Sequence, residues 1–444
     1  MTLHLREHAR VILDAALAAA DARAAVARAL SLDGDRLRVA DAEVVDLGSI
    51  ENVRVIGAGK AACEMAMGAL EVLGDRITGG TLTTRDGHAR ELPRMEVWEA
   101  AHPIPDTRGM AGAVDALRMA RAAGPRDLVL CLLSGGASAL WAAPAPGVTL
   151  TDLRAVTDGL LRAGATIREL NTVRKHLSRI GGGGLARAAF PARVVTLAVS
   201  DVVGGALDVI ASGPTVSDPT TFGDALDVLA RYSVQVPAVR AHLQAGDAGE
   251  VDETPRPGDP VFAATSIHVV ADNGDALRGA AREAERLGYR ARIVADDLEG
   301  EASSVGEQVG LLVHGTLTEQ PDGPVALLLG GETTVTVNGT GRGGRNQELA
   351  LALAMQIDGV GGVLAASLGT DGTDGATDAA GAFADGGTVR RGATAGLDAR
   401  DALRRNDSHS FLRAAGDLIV TGPTGTNVND LVLVLIDPAA AARS

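Results

Sequence analysis

The chain has 444 residues, enough for two domains that each bury a core of their own. Hydrophobic residues make up 46% and aromatics only 2%, so the core must be packed mainly by Ala, Val, Leu and Ile. So few rings, with a formal net charge of −15, leave little to stack bases or attract a phosphate backbone, and no nucleic-acid partner is expected.

Met1 to Leu30 carries charges throughout (Arg6, Glu7, Arg10, Asp14, Asp21, Arg23, Arg28), which predicts an amphipathic helix and not a signal peptide. No segment approaches the roughly 18–20 apolar residues of a membrane span, so no membrane partner and a cytoplasmic location are expected. Apolar runs at Val53–Ile56, Leu128–Leu133, Val194–Val199, Ile267–Val270, Val325–Leu329, Val363–Leu368, Leu418–Val420 and Leu431–Ile436 read as strands. Ala- and Leu-rich helical stretches, such as Ala61–Leu73, Ala111–Ala123 and Asn346–Met355, lie between many of them. That alternation predicts an α/β chain with largely parallel sheets covered on both faces. The polar, proline-rich stretch Gln244–Pro260 predicts a boundary: one domain over 1–245, a linker or boundary loop over 246–260, and a second domain over 261–444. Cys63 and Cys131 have no partner spacing and read as small buried hydrophobes.

Many of the 56 glycines fall just after predicted strands. Ligands of parallel α/β sheets bind at those carboxyl ends, and glycine lets backbone N–H groups close on a phosphate. The first such segment, Val53-Arg-Val-Ile-Gly-Ala-Gly-Lys-Ala-Ala62, supports two readings. Its GxGxxA pattern (Gly57, Gly59) matches a dinucleotide fingerprint, with Asp86 as the ribose-binding acid. Lys60, which that fingerprint does not require, is placed instead to grip a carboxylate or phosphate.

The next loop, with Ser134, Gly135, Gly136 and Ser138, offers hydroxyls and amides to one anion, and lacks the GxSxG of a hydrolase elbow. Asn171-Thr-Val-Arg-Lys-His-Leu-Ser-Arg-Ile180 reads by itself as a solvated helix face. Asp201 ends an apolar strand, where a carboxylate is costly unless it serves a partner, a metal or a proton transfer. Gly330, Gly331 and Glu332 open the richest segment, and its loop delivers Arg342, Gly343, Gly344, Arg345 and Asn346 to a helix start suited to an anionic substrate. Asp371, Asp374 and Asp378 follow; they lack the twelfth-position glutamate of an EF-hand, and Asp371 and Asp374 are the candidate metal ligands.

Together these segments resemble the glycerate kinase family that joins a DUF4147-type domain to a MOFRL domain. The strings Leu-Ser-Gly-Gly-Ala-Ser, Asn-Thr-Val-Arg-Lys-His-Leu-Ser, Ser-Gly-Pro-Thr, Gly-Gly-Arg-Asn-Gln-Glu and Gly-Thr-Asp-Gly-Thr-Asp-Gly carry the resemblance, which runs in order from Val55 to Asp430. It implies a non-P-loop kinase that transfers the ATP γ-phosphoryl group to D-glycerate, usually to give 2-phosphoglycerate, with Mg²⁺. A larger Rossmann-like domain and a smaller α/β domain are implied, with the site in the cleft between them.

By similarity Lys60, Asp201 and Arg345 are the catalytic expectations, and Lys60, Arg345 and Asn346 contact glycerate. Gly57, Gly59, Ser134, Gly135, Gly136, Ser138, Gly330, Glu332, Gly343 and Gly344 are expected to cradle the nucleotide. Two departures from the family pattern stand out: Gly181 replaces a lysine, and an acidic pair is absent near Gly205-Ala206. The alternatives are an NAD(P)H-dependent hydroxypyruvate reductase and a non-catalytic sugar-phosphate sensor. A homodimer is one expected assembly, which no residue pattern selects.

Overall fold

The computed structural model describes residues 2–40, 42–201 and 208–441. Gly205 and Ala206 lie outside the described residues. The chain divides into two compact units, one of Ala22–Val270 and one combining the residues up to Asp21 with those from Ala271 onward.

The larger unit begins with a three-stranded antiparallel meander, β1 (Leu30–Asp33), β2 (Arg36–Val39) and β3 (Glu43–Asp46). Its main sheet contains β4 (Asn52–Ala58), β5 (Ile77–Arg85), β6 (Met95–Ala100), β7 (Asp127–Leu133), β8 (Arg193–Val199) and β9 (Thr265–Ala271), in the order β6-β5-β4-β7-β8-β9. The pairs β6/β5, β5/β4, β4/β7 and β7/β8 are parallel. This is the 3-2-1-4-5-6 order of a dinucleotide-binding fold, with its reversal between β4 and β7. Every residue of β7 is buried, and Ile56, Val129, Cys131 and Leu133 join Leu117 and Leu185 in one core. Burial raises the Cys63 thiol to about 11 and the Cys131 thiol to about 12, as inert packing residues require.

Among its described residues the second unit has six strands, β10 (Arg290–Leu298), β11 (Val325–Gly331), β12 (Val363–Gly369), β13 (Gly381–Asp385), β14 (Leu418–Ile419) and β15 (Asp430–Ile436). Their order is β10-β11-β15-β12-β13-β14. Of its pairs β10/β11 is parallel; the last strand inserts antiparallel between β11 and β12, and β12/β13 and β13/β14 are antiparallel as well. The expectation of largely parallel sheets therefore fails here. A strand buried on both faces, as β15 is, reads the same in either direction.

Two boundaries differ from those expected. The amino-terminal helix is two helices, Thr2–Ala19 and Ala22–Ala29, and the first belongs to the second unit. Arg6 anchors it there, donating to the buried carboxylates of Asp385 (3.1 Å) and Asp417, both of which also take Arg391. The stretch 246–260 is packed onto the larger unit and is not a free linker. Glu253 Oε1 lies 3.0 Å from His176 Nε2, and the Pro255 carbonyl accepts from the Asp218 N–H at 2.9 Å. The division falls at the last residue of β9. No helix among the described residues is long and apolar enough to cross a membrane.

Arg6→Ala should cost about 2–3 kcal/mol, since it leaves two buried carboxylates with less charge compensation. Hydrogen exchange should rise in β13 and β14 and stay unchanged in β4 and β7; equal change in both units would contradict the grouping. Burial pushes the Asp385 carboxyl up, but Arg391, the Gly387 N–H and Arg6 outweigh it and hold it below its ordinary value of 3.8. Its stabilisation is thus complete above about pH 4 and lost as pH falls below that. Acid titration of unfolding should be shallower in Asp385→Asn than in the parent chain.

Candidate active site

At the reversal of strand order the carboxyl ends of β4 and β7 are locked in register, with Ala58 opposite Leu133. Three bonds tie the loops beyond them, and a fourth holds Gly59 to β5. The Ser134 N–H donates to the Ala58 carbonyl (3.0 Å), the Lys60 N–H to Gly135 (3.0 Å), the Gly59 N–H to Thr83 (3.1 Å) and the Ala61 N–H to Ser134 Oγ (3.0 Å). Gly59 has φ of +132°, and a Cβ there would sit 2.1 Å from Ser134 Oγ. Gly136 (φ +87°) faces the His102 ring and the Lys60 side chain, whose Cγ would lie 3.5 Å from an added Cβ. Lys60, Ser134, Gly135, Gly136 and Ser138 are thus brought onto one edge. Gly57 lies within β4 and serves packing, as a Cβ would meet the Leu132 carbonyl oxygen at 2.7 Å. Asp201 lies two residues beyond the end of β8, the strand next to β7, and is half-buried.

Asp86 stands one residue beyond β5, and both its oxygens take the Arg108 guanidinium, at 2.6 and 2.9 Å. Both partners are well exposed, so the pair leaves the Asp86 carboxylate open to exchange.

In the second unit β11, β12 and β15 bring Gly331, Gly369 and Asp430 to a common edge. Arg345, the first residue of the helix Arg345–Gln356, is held there by a bidentate pair with Asp430 (Nε to Oδ2 2.5 Å, Nη2 to Oδ1 2.9 Å). Its third arm, Nη1, meets Glu332 Oε1 at 2.6 Å. Burial opposes the charge of Arg345, yet Asp430 and then Glu332 outweigh it and raise its pKa above the usual arginine value.

Asp374 caps the same helix. Its oxygens accept from the Asn346 and Gln347 backbone N–H groups (3.1 and 2.9 Å) and from Gln347 Nε2 (2.9 Å). Burial nevertheless lifts its carboxyl to about 6. Asn346 is buried and bonded inward, its Oδ1 accepting from Ser367 Oγ at 2.6 Å. Gly343 and Gly344 are required by packing: a Cβ would strike Ser408 Oγ and Asp374 respectively. Gly330 similarly fits against the Asn273 amide.

Asp371 Oδ1 accepts from the Thr373 N–H and hydroxyl, each at 2.9 Å. Among the described residues no group of three or more His, Cys, Asp or Glu forms a ready metal cage. Mg²⁺ bound with substrate phosphates needs only one or two carboxylates, so the acidic edge at Asp371 fits such an ion.

A sheet in this strand order, with two glycine-rich loops tied together at its switch point, defines the open α/β class whose ligands bind beyond the carboxyl ends of the strands. The family model described as a domain of unknown function, DUF4147, matches residues 8–244, and the MOFRL family model matches residues 325–430. Glycerate 2-kinase of Pyrococcus horikoshii is 42% identical over 98% of both chains. A protein of Agrobacterium vitis bearing the provisional name hydroxypyruvate reductase is 43% identical over 97% of this chain and 94% of its own. The crystal structure of glycerate kinase from Thermotoga maritima superposes with a TM-score of 0.83 at 38% identity, covering 98% of this chain and 99% of that one. The chain belongs to the DUF4147–MOFRL family of glycerate kinases.

Gly59→Ala combines an unfavourable φ with a collision against Ser134, and should destabilise the larger unit by about 3 kcal/mol. A urea midpoint equal to that of the parent chain would show that the two loops are not locked as described.

Proposed function

We propose that the chain phosphorylates D-glycerate with ATP, giving 2-phosphoglycerate, and that Mg²⁺ accompanies the nucleotide. The observation that carries this reading is the single edge shared by Lys60 and the Ser134–Ser138 loop, in a chain with a glycerate 2-kinase relative along nearly its whole length.

In this reading the phosphates lie across the Gly59 and Ser134–Ser138 loops, and Lys60 offsets charge on their oxygens. Asp201 takes the proton of the attacking hydroxyl. The glycerate oxygen bonds to the γ-phosphorus, the bond from that phosphorus to the β,γ-bridging oxygen breaks, and ADP leaves. Arg345 keeps its bidentate hold on Asp430 and exchanges the half-exposed Glu332 for an oxygen of glycerate or phosphate at Nη1. Asn346 acts through Asp374, fixing the helix start that carries Arg345. Mg²⁺ would supply charge neutralisation on the phosphates, and Asp371 would be the carboxylate to hold it, since Asp374 already serves backbone and side-chain N–H groups. Lys60 and Asp201 belong to one unit and Arg345 to the other, so the reading requires one transfer to draw on both.

A hydroxypyruvate reductase is the second reading, favoured by the strand order; Lys60 on the shared edge, which a dinucleotide fingerprint does not require, favours the kinase. Purified protein should form ADP only when D-glycerate, ATP and Mg²⁺ are all present, and Lys60→Ala should lower that rate by about 10³ or more while remaining folded. Oxidation of NAD(P)H by hydroxypyruvate without ADP formation would replace the kinase by the reductase. Ligand binding with neither turnover would leave a sensor.

A further inference from the structure

The larger unit contains a cavity of about 610 Å³ that the residues above only touch at one side. Its wall is largely apolar, with Ile104, Trp141, Leu153 and Leu161, and the Trp141 indole N–H is already bonded to Thr83 Oγ1 at 3.2 Å. Most of its charged groups are satisfied. Arg154 donates to the Pro105 carbonyl at 2.7 Å, and Asp158 pairs with Arg162 at 3.0 Å.

Arg174 is the exception. It lines the cavity half-buried, and among the described residues none takes a hydrogen bond or ion pair from its guanidinium. Burial alone lowers its pKa from the usual arginine value. A guanidinium taken from water without a partner is costly, and an anion entering the cavity would remove that cost.

The polar side of the cavity is built from strained backbone. Ala211 and Ser212 have φ of +53° and +61°, a region rarely used by residues other than glycine. The Gly182 N–H holds the Ser212 carbonyl at 2.8 Å, and Ser212 Oγ lies 2.8 Å from Ser138 Oγ. Ser138 follows directly on the loop whose Gly136 packs against Lys60. Cavity and phosphate edge therefore share one short loop.

A volume near 600 Å³ suits a ligand of nucleotide size and far exceeds what a three-carbon acid fills. We propose that this cavity seats the nucleotide: base and ribose lie against the apolar wall, and Arg174 takes a non-transferred phosphate. This inference rests on the kinase reading and adds to it a site and a nucleotide-binding residue. Ser138 then passes the phosphate chain towards Lys60, where transfer occurs.

Isothermal titration with Mg²⁺-ADP and no glycerate tests the assignment apart from turnover. Arg174→Gln and, separately, Thr157→Trp, which fills the cavity from the helix Leu150–Arg162, should each weaken ADP binding about tenfold or more. In steady state KM for ATP should rise by a similar factor while KM for glycerate stays within about twofold. Parental ADP affinity in both folded variants, or a rise in KM for glycerate alone, overturns the inference and leaves the kinase reading standing. If Arg174→Gln does not fold, Thr157→Trp decides. A parent chain that binds no nucleotide at all defeats the kinase reading as well.

Discussion

The register between β4 and β7 is the constraint on which the larger unit's chemistry depends. With Ala58 opposite Leu133, the chain must leave both strands at the same level, and the Ser134 hydroxyl and carbonyl fill the space that any side chain at position 59 would need. The backbone bonds between the loops then fix the direction in which Lys60 departs. A sheet whose order reversed elsewhere would put these loops on separate strands with no shared edge.

The second unit solves a different problem, that of holding one cation still. Arg345 sits at a helix start, where the dipole disfavours positive charge, and Asp430 compensates with two bonds from the first residue of a fully buried strand. Asp374 supplies the negative charge that the helix start prefers. The price is a buried carboxyl lifted to about 6, tolerated because backbone N–H groups meet it. Only the bond from Nη1 to Glu332 is made to a well-exposed partner, which makes that arm the one able to exchange.

Much of this was legible in the sequence. The apolar runs located β4, β7, β8, β11, β12 and β15 to within one or two residues at each end, because buried strands are nearly pure Val, Leu, Ile and Ala. β5 was missed, since its Thr and Gly residues look polar although Thr81, Thr83 and Thr84 are buried. β10 was missed as well; it is a half-exposed edge strand carrying arginine and aspartate.

Glycine clusters identified the loops but not what each glycine makes room for. Gly59 and Gly344 look alike in sequence, yet one makes room for Ser134 beside Lys60 and the other for Asp374. The role of Asp430 had a readable signal, a carboxylate opening an otherwise apolar strand, which is the argument applied to Asp201. Arg174 had none: the run Arg174-Lys175-His176 reads as a solvated face, and only the pairing of Lys175 and His176 with acids leaves Arg174, among the described residues, without a partner.

The central claim is that phosphates are held at the β4–β7 edge. A crystal structure with a non-hydrolysable ATP analogue, Mg²⁺ and D-glycerate tests it directly. The account predicts the γ-phosphate within hydrogen-bond distance of Lys60 Nζ and of the Ser134–Ser138 loop. Phosphates bound instead at the Gly330–Glu332 loop, with that edge empty, would contradict it.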